Sequence, residues 1–428
     1  MSKETARHLP HHRAAAMRGR DPHEEHRVAT PLELLFDLTF VIAFSAAASP
    51  FAHLLAEGHY AVGLGSFAFA MFAICLAWIN FSWFASAFDT DDWIYRLTTM
   101  IQMIGVLILA VGLPRMFTSL DHGEYIDNAV MVMGYVIMRV AMIFQWLRAA
   151  RQYPGGRAAC LFYAGWIFTA QIGWTALIFL DMPLLPTAAC IVTLGIFELA
   201  GPIVAERLGN GTPWHAHHIA ERYGLLAIIA LGEGVIGTVA SISAIVENQG
   251  WNIDTVLMCV AGTGLTFGMW WLYFMLPSAK VLHIRRDRAF VWGYGHFLIF
   301  AAIAATGAGL HTAAYYIEHE AHIGPVATLL TVAFPVGLYI LTIFALYTYL
   351  LGEGDRFHVW LLAGTGLFIV LPVVCAGFGV SMTVCLTLLM FAPVVSVIGY
   401  EVVGHRHGDE ALERMLGASH STDSQAPH

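Results

Sequence analysis

Five ionisable residues lie inside long apolar stretches of the sequence: Asp37, Arg139, Glu198, Glu233 and His296. Such groups are costly in an apolar helix, and they usually face a protein interior or a water path. Carboxyl groups and imidazole can take up and release protons, whereas arginine stays charged and needs an anion nearby. The five residues are therefore candidates for proton coupling or solute binding, or for internal ion pairs that hold helices together.

The composition of the whole chain indicates the environment in which these five residues lie. Of the 428 residues, 58% are hydrophobic and 12% are charged, whereas about a quarter of an ordinary globular chain is charged. A soluble protein could not cover its surface with so few charges, which excludes a soluble enzyme or a disordered regulator. The formal net charge of -9 also argues against nucleic acid as a partner, since nucleic acids are bound by basic faces. The sequence predicts an integral membrane protein whose partner is the lipid bilayer.

Twelve apolar stretches reach the length of about 20 residues that a membrane-spanning helix needs. The predicted spans are 31–52, 62–86, 95–115, 128–150, 157–180, 184–204, 219–245, 254–276, 289–310, 325–351, 357–378 and 380–403. The predicted fold class is all-α, a polytopic bundle of about 12 transmembrane helices.

The basic residues predict the orientation, because cytoplasmic loops carry an excess of Lys and Arg. With the N-terminus inside, every Lys and Arg except Arg115 and Arg139 falls on the cytoplasmic side. Both termini are therefore expected in the cytoplasm. The first 30 residues contain no apolar core and do not form a cleavable signal peptide.

The two halves of the chain resemble each other, which predicts two parallel six-helix repeats. The stretch 77–97 is similar to 269–290. The predicted organisation is a cytoplasmic basic tail, two repeats joined by a linker, and a C-terminal cytoplasmic tail, over residues 1–30, 31–204, 205–218, 219–403 and 404–428.

Depth counting places the five ionisable residues in one layer. At about 1.5 Å of rise per residue, each lies roughly 12–16 Å from the nearest cytoplasmic arginine. The partner of Arg139 could be any of three carboxylates, those of Asp37, Glu198 and Glu233. One fixed cation against three carboxylates leaves two that could exchange protons, with His296 as a relay.

Three motifs carry further polar residues. In TPLELLFDL, Glu33 is placed to cap the first helix with Thr30. In FDTDDWIYR, the aspartates fit the start of the third helix, where its dipole favours anions. In HHIAERYGLLAIIALGEGVIG, a histidine cluster precedes Glu233, and we expect it to be solvated rather than to bind metal. The six cysteines lie in apolar runs without metal-ligand spacing, so no metal or cofactor is predicted.

These motifs closely resemble the low temperature requirement A (LtrA) family of bacterial membrane proteins. The resemblance covers roughly residues 27–403 and implies a many-helix protein of the cytoplasmic (inner) membrane, associated with growth at low temperature, without implying a substrate. The matching positions outside the five candidates are Glu33, Phe36, Asp89, Asp91, Asp92, Arg96, His218, Glu221, Arg222 and Gly232.

The sequence favours a proton-coupled secondary transporter of an unknown small solute. Asp37 and Glu233 would exchange protons or coordinate the solute, Arg139 would balance charge or bind an anion, and Glu198 and His296 would be relays. An ion channel and a non-transporting scaffold or intramembrane enzyme stay open as alternatives. Because no nucleophile and base stand at helical spacing, an enzyme ranks below a transporter, and the oligomeric state stays open.

Overall fold

The structure is a computed structural model that describes residues 15–22, 24, 27–123, 125–180, 182–352, 356–404 and 413–414. All regular secondary structure in this part of the chain is helical. Twelve helical segments within it are long and apolar enough to cross a membrane. The predicted all-α membrane fold is confirmed, whereas the two six-helix repeats stay a prediction. The C-terminal tail predicted over 404–428 lies almost wholly outside the described residues.

Each of the first six spans is one helix: α1 (Pro31–Ala56), α2 (Tyr60–Phe88), α3 (Trp93–His122), α4 (Ala129–Gln152), α5 (Arg157–Phe179) and α6 (Leu184–Ala205). The remaining helices are α7 (Ala216–Gln249), α8 (Ile253–Phe274), α9 (Ser278–Ile284), α10 (Ala289–Ile317), α11 (Pro325–Leu351), α12 (Arg356–Gly377), α13 (Met382–Leu389) and α14 (Phe391–Gly399).

One of the expected spans is interrupted, and a short helix lies in the predicted loop that follows another. Beyond α8 the chain breaks at Pro277 and resumes as the short α9, because proline cannot continue a helix with its missing N–H. The last expected span is divided into α13 and α14, with Pro393 in the first turn of the second piece. Apolar length alone predicts the span but not the break inside it.

The contacts divide the chain into two compact units. Unit 1 comprises Met1–Ala43 and Phe72–Ile219, and unit 2 comprises Phe44–Met71 and Ala220–His428. Consecutive helices from α3 to α6 pack against one another in unit 1. A side chain at Gly134 of α4 would meet the backbone of Leu109 in α3, so this glycine permits the close approach of the two helices. In unit 2, α10, α11 and α12 pack in sequence order, and α8 packs against α13 and α14.

Candidate functional site

The beginning of α1 is held by a reciprocal cap. The N–H of Thr30 donates to Glu33 Oε2 at 2.7 Å, and the N–H of Glu33 donates to Thr30 Oγ1 at 3.3 Å, which is the expected capping box. Glu33 has a second role, because its fully buried carboxyl group lies 3.2 Å from Nε2 of His218. A histidine and a carboxylate at this distance can share or exchange a proton.

His215 connects this pair to the chain before α1. Its Nδ1 accepts from the N–H of His218 at 3.2 Å, and its Nε2 lies 2.9 Å from the carbonyl oxygen of Glu24. Its own N–H donates to Ser86 Oγ at 2.9 Å. Burial lowers the pKa of His215, which favours its neutral form. The prediction of a solvated histidine cluster is therefore wrong for His215 and His218, which are both buried.

Asp89 follows α2 and adds a third acidic residue to this region of unit 1. Its side chain is buried, and Oδ1 accepts from the N–H of Asp91 at 2.9 Å. Burial, together with the negative charge of Glu33, raises the pKa of Asp89 to about 6, although the charge of Arg27 opposes the shift. Residues from the three motifs are therefore neighbours within unit 1.

Asp92 is the N-cap of α3, as expected for this acidic run. Its Oδ1 accepts from the N–H of Tyr95 at 2.8 Å, and the carboxylate forms a buried ion pair with Arg148 of α4. Oδ2 also accepts from the N–H of Ala15 at 2.8 Å, and Arg148 donates to the carbonyl oxygen of Ala15 at 2.9 Å. Residues 15–22, which we call the N-terminal segment, are thereby attached to unit 1.

Asp91 and Arg96 form the more exposed part of the same motif. The guanidinium of Arg96 makes two hydrogen bonds of 2.8 Å to the carboxylate of Asp91. Both side chains are about a third or more exposed, so this pair contributes little to stability.

Asp37 lies one turn deeper than Glu33 on α1 and is fully buried. The indole N–H of Trp78 in α2 donates to its Oδ1 at 2.7 Å. Phe36 packs beside it against Phe81, with ring centres 3.8 Å apart. Asp37 thus lies inside a membrane-spanning segment among aromatic side chains and accepts a hydrogen bond from an uncharged donor.

Glu198 of α6 is the partner of Arg139, which answers the question that the sequence left open. The ion pair is buried. The hydroxyl of Tyr135 also donates to Glu198, as do the amide of Gln171 at 3.1 Å and the indole N–H of Trp174 at 3.0 Å. Four donors around one carboxylate satisfy its oxygens, which is the condition for a stable buried ion pair.

Glu233 lies in unit 2 on α7. The hydroxyl of Ser45 donates to its Oε1, and this is its polar contact among the described residues. A Cβ at Gly307 of α10 would stand 2.6 Å from the backbone of Glu233, so α7 and α10 approach each other closely here. Glu233 is 3% exposed.

His296 is also in unit 2 and does not meet Glu233. Its Nε2 lies 3.0 Å from the hydroxyl of Tyr273, and its Nδ1 lies 2.8 Å from the carbonyl oxygen of Trp292. Because Glu233 packs on Gly307, which is eleven residues after His296 on α10, the two are separated by roughly 16 Å along that helix.

The prediction from depth counting that all five residues lie in one layer is therefore wrong for Glu233 and His296. The count for Glu233 began at Arg222, whose neighbour Tyr223 packs against His296 with ring centres 4.8 Å apart, so Arg222 lies near the level of His296 and not at that of Arg288. Arg222 is also a buried cation, which the count of one cation against three carboxylates missed. Its neighbour Glu221 is exposed.

The sequence analysis did not identify several hydrogen-bond partners of the candidate site residues. Trp78 and Ser45 are ordinary residues of apolar helices and gave no signal. Tyr135 stands four residues before Arg139, and Gln171 and Trp174 are three apart; both spacings place pairs on one helix face. Within the described residues no group of His, Cys, Asp and Glu is arranged to hold a metal ion.

The helices and these buried polar groups define a multi-pass integral membrane protein. The sequence profile of the bacterial low temperature requirement A protein (LtrA) matches residues 28–393. The chain belongs to this family, which confirms the resemblance carried by the three motifs.

The chain is also similar to an uncharacterized protein of Rhizobium meliloti (strain 1021). The two are 25% identical over 295 residues, which cover 65% of this chain and 67% of that protein. No solved structure matches the chain.

Proposed function

We propose that the protein is a proton-coupled secondary transporter of a small solute, placed in the inner membrane with both termini in the cytoplasm. The observation that carries the proposal is the row of buried acidic and histidine side chains at the start of α1. His218 contacts Glu33, and Asp37 follows one turn deeper. These groups lead from the beginning of a membrane-spanning helix towards its interior.

The chemistry of this arrangement favours proton exchange. A carboxylate is costly to hold in an apolar environment, and binding a proton removes that cost. Asp89 supports the idea from outside the spans, because its pKa of about 6 lets it change charge near neutral pH. Protons could then pass from Asp89 and His218 to Glu33 and on to Asp37.

Glu233 supports the proposal from unit 2. It is a buried acid in a second membrane-spanning helix, and its contact is a neutral hydroxyl rather than a cation among the described residues. The short distance between Gly307 and the Glu233 backbone makes any movement of α7 against α10 change the surroundings of this carboxyl group. Alternating access requires such a link between proton binding and helix movement.

The test uses purified protein in liposomes that contain an internal pH dye. A pH gradient and a potassium diffusion potential are imposed separately on wild type, Asp37→Asn, Glu33→Gln and the surface control Glu247→Gln. All four proteins are first shown to fold by circular dichroism and gel filtration. We expect proton movement in wild type and in the control, and its loss in Asp37→Asn and Glu33→Gln.

Other results would lead to the alternatives. Proton current in wild type that rises linearly with the driving force, without saturation, would indicate a channel. Unchanged proton movement in both buried variants would contradict the proposed path. No proton movement in any protein under either gradient would favour a carrier that moves protons only together with its solute, or a non-transporting scaffold if Asp37→Asn also lowers the stability.

A further inference from the structure

Unit 2 contains a groove of about 510 Å³ among helices that are long and apolar enough to cross a membrane. Its walls come from the last turns of α1, the first turns of α2, the middle of α10 and the first half of α11. The volume lies in the range of about 300–1,000 Å³ that is typical of ligand pockets. The groove is therefore large enough to hold a molecule rather than a single water.

The lining of this groove is apolar. Among the described residues that form it, Thr331 and Tyr60 alone have polar side chains. The hydroxyl of Thr331 donates to the carbonyl oxygen of Thr328 at 2.6 Å, and Tyr60 is exposed at the start of α2. A polar solute would lose its hydrogen bonds to water on entering and would gain few from these walls. The groove therefore favours an apolar occupant.

The groove opens sideways along the surface of the spans. Leu64 of α2 and Leu330 and Phe334 of α11 belong to its lining, and each is more than a third exposed. Ala302 of α10 lies at its floor and is buried. Because the exposed side chains lie within membrane-spanning helices, the hydrocarbon chains of the bilayer reach this opening.

The dimensions of the groove distinguish a lipid chain from a helix. Along α11 the lining runs from Ala327 to Leu338, which is roughly 16 Å at about 1.5 Å per residue. This is half of a hydrocarbon core of about 30 Å, the depth of one leaflet. A volume of about 510 Å³ over that length gives a mean cross-section of about 32 Å², whereas a helix about 10–12 Å across covers roughly 80–110 Å². One hydrocarbon chain fits, and a helix of a second copy does not.

Polar side chains stand beside one end of the groove. Glu57 precedes Tyr60 by three residues, and His322 precedes Ala327 by five. Nδ1 of His322 lies 2.6 Å from the carboxylate of Glu57, and the N–H of His322 donates to the carbonyl oxygen of Ala56 at 2.9 Å. An imidazole and a carboxylate are partners for the phosphate and the ammonium of a zwitterionic headgroup. An apolar groove with a polar end matches an amphiphile.

We propose that one acyl chain of a membrane phospholipid occupies this groove as a bound part of unit 2. Left empty, the groove would deprive its lining of the dispersion contacts that a chain supplies. The chain packs between the ends of α1 and α2 on one side and α10 and α11 on the other. These helices also meet directly, since the hydroxyl of Thr312 donates to the carbonyl oxygen of Ala52 at 3.2 Å. The lipid thus stabilises this part of unit 2, independently of proton movement.

The first test is native mass spectrometry of the full chain, purified in detergent and washed to remove loosely attached lipid. Ala305→Phe on α10 and Ala68→Phe on α2 narrow the groove from opposite walls. Ala189→Phe, at an exposed alanine of α6, adds the same side chain outside the groove and is the matched control. We expect wild type and the control to retain one phospholipid and both narrowed variants to lose it.

The second test measures the thermal unfolding midpoint of protein stripped of lipid, before and after addition of phosphatidylethanolamine. A ligand that binds only the folded state raises the midpoint. The lipid should raise the midpoint of wild type and of Ala189→Phe, and it should raise that of the narrowed variants less or not at all. Glycerophosphoethanolamine, which has the headgroup without acyl chains, should leave every midpoint unchanged.

Several results would overturn the proposal. Retention of the phospholipid by both narrowed variants would do so, as would a retained mass that is not a phospholipid or a dimer that forms in place of the lipid-bound monomer. An equal effect of glycerophosphoethanolamine and phosphatidylethanolamine on wild type would show that no acyl chain is bound. If one narrowed variant fails to fold, the other decides the matter, and if both fail, the comparison of the two compounds on wild type decides it.

Discussion

Replacing Asp89 by asparagine should remove a pH-dependent penalty on stability. The structure buries Asp89 near the negative charge of Glu33, and its pKa rises from 3.8 to about 6. A shift of one unit corresponds to about 1.36 kcal/mol, so the shift of about two units corresponds to about 3 kcal/mol. Because the folded state binds this proton more tightly, the stabilisation is complete below pH about 4 and is lost as the pH rises through about 6.

The assay is the free energy of unfolding in mixed micelles, titrated with sodium dodecyl sulfate at several pH values between about 4 and 7.5. Asparagine keeps the oxygen that accepts from the N–H of Asp91 but has no charge at any pH. The stability of Asp89→Asn relative to wild type should therefore increase by about 3 kcal/mol across this range. Glu247→Gln, at an exposed carboxylate of α7, is the control for the substitution itself. A stability difference between Asp89→Asn and wild type that stays constant with pH would refute the reasoning.

Three further predictions concern packing, attachment and capping. Gly307→Ala should destabilise the protein by about 1–3 kcal/mol, since a Cβ there would lie 2.6 Å from backbone; Gly366→Ala, which meets open space, is the control in the same thermal unfolding assay. Asp92→Asn should weaken the hold on the N-terminal segment and speed tryptic cleavage within it, whereas Asp91→Asn should leave the cleavage rate unchanged. Thr30→Ala should cost about 1 kcal/mol by removing the cap of α1, and an unaltered unfolding midpoint would contradict the role of that cap.

The parts of the fold that depend on local composition could be predicted from the sequence. A run of about 20 apolar residues must cross a membrane as a helix, since backbone groups cannot stay unsatisfied in lipid. The cap formed by Thr30 and Glu33 and the N-cap at Asp92 also follow from local spacing. These features depend only on residues that are close in sequence, and the structure shows them at the predicted positions.

Features that depend on packing between helices could not be predicted. The partner of Arg139 was open among three carboxylates, because depth along a helix does not say which way a side chain points; the structure selects Glu198. Depth itself failed at Glu233, because the count began at Arg222, which lies near the level of His296 rather than at that of Arg288. The donors Trp78 and Ser45 have residue types that are common in apolar helices, so they became visible only through their contacts.

The central claim is that a carboxyl group buried in a membrane-spanning helix exchanges protons with water. Infrared difference spectroscopy between low and high pH measures this directly, because the C=O band of a protonated carboxyl group disappears when the proton leaves. Wild type in lipid membranes should show this pH-dependent band, and Asp37→Asn should lack a distinct component of it. Identical difference spectra for wild type and Asp37→Asn would show that Asp37 does not change its protonation, and would contradict the claim.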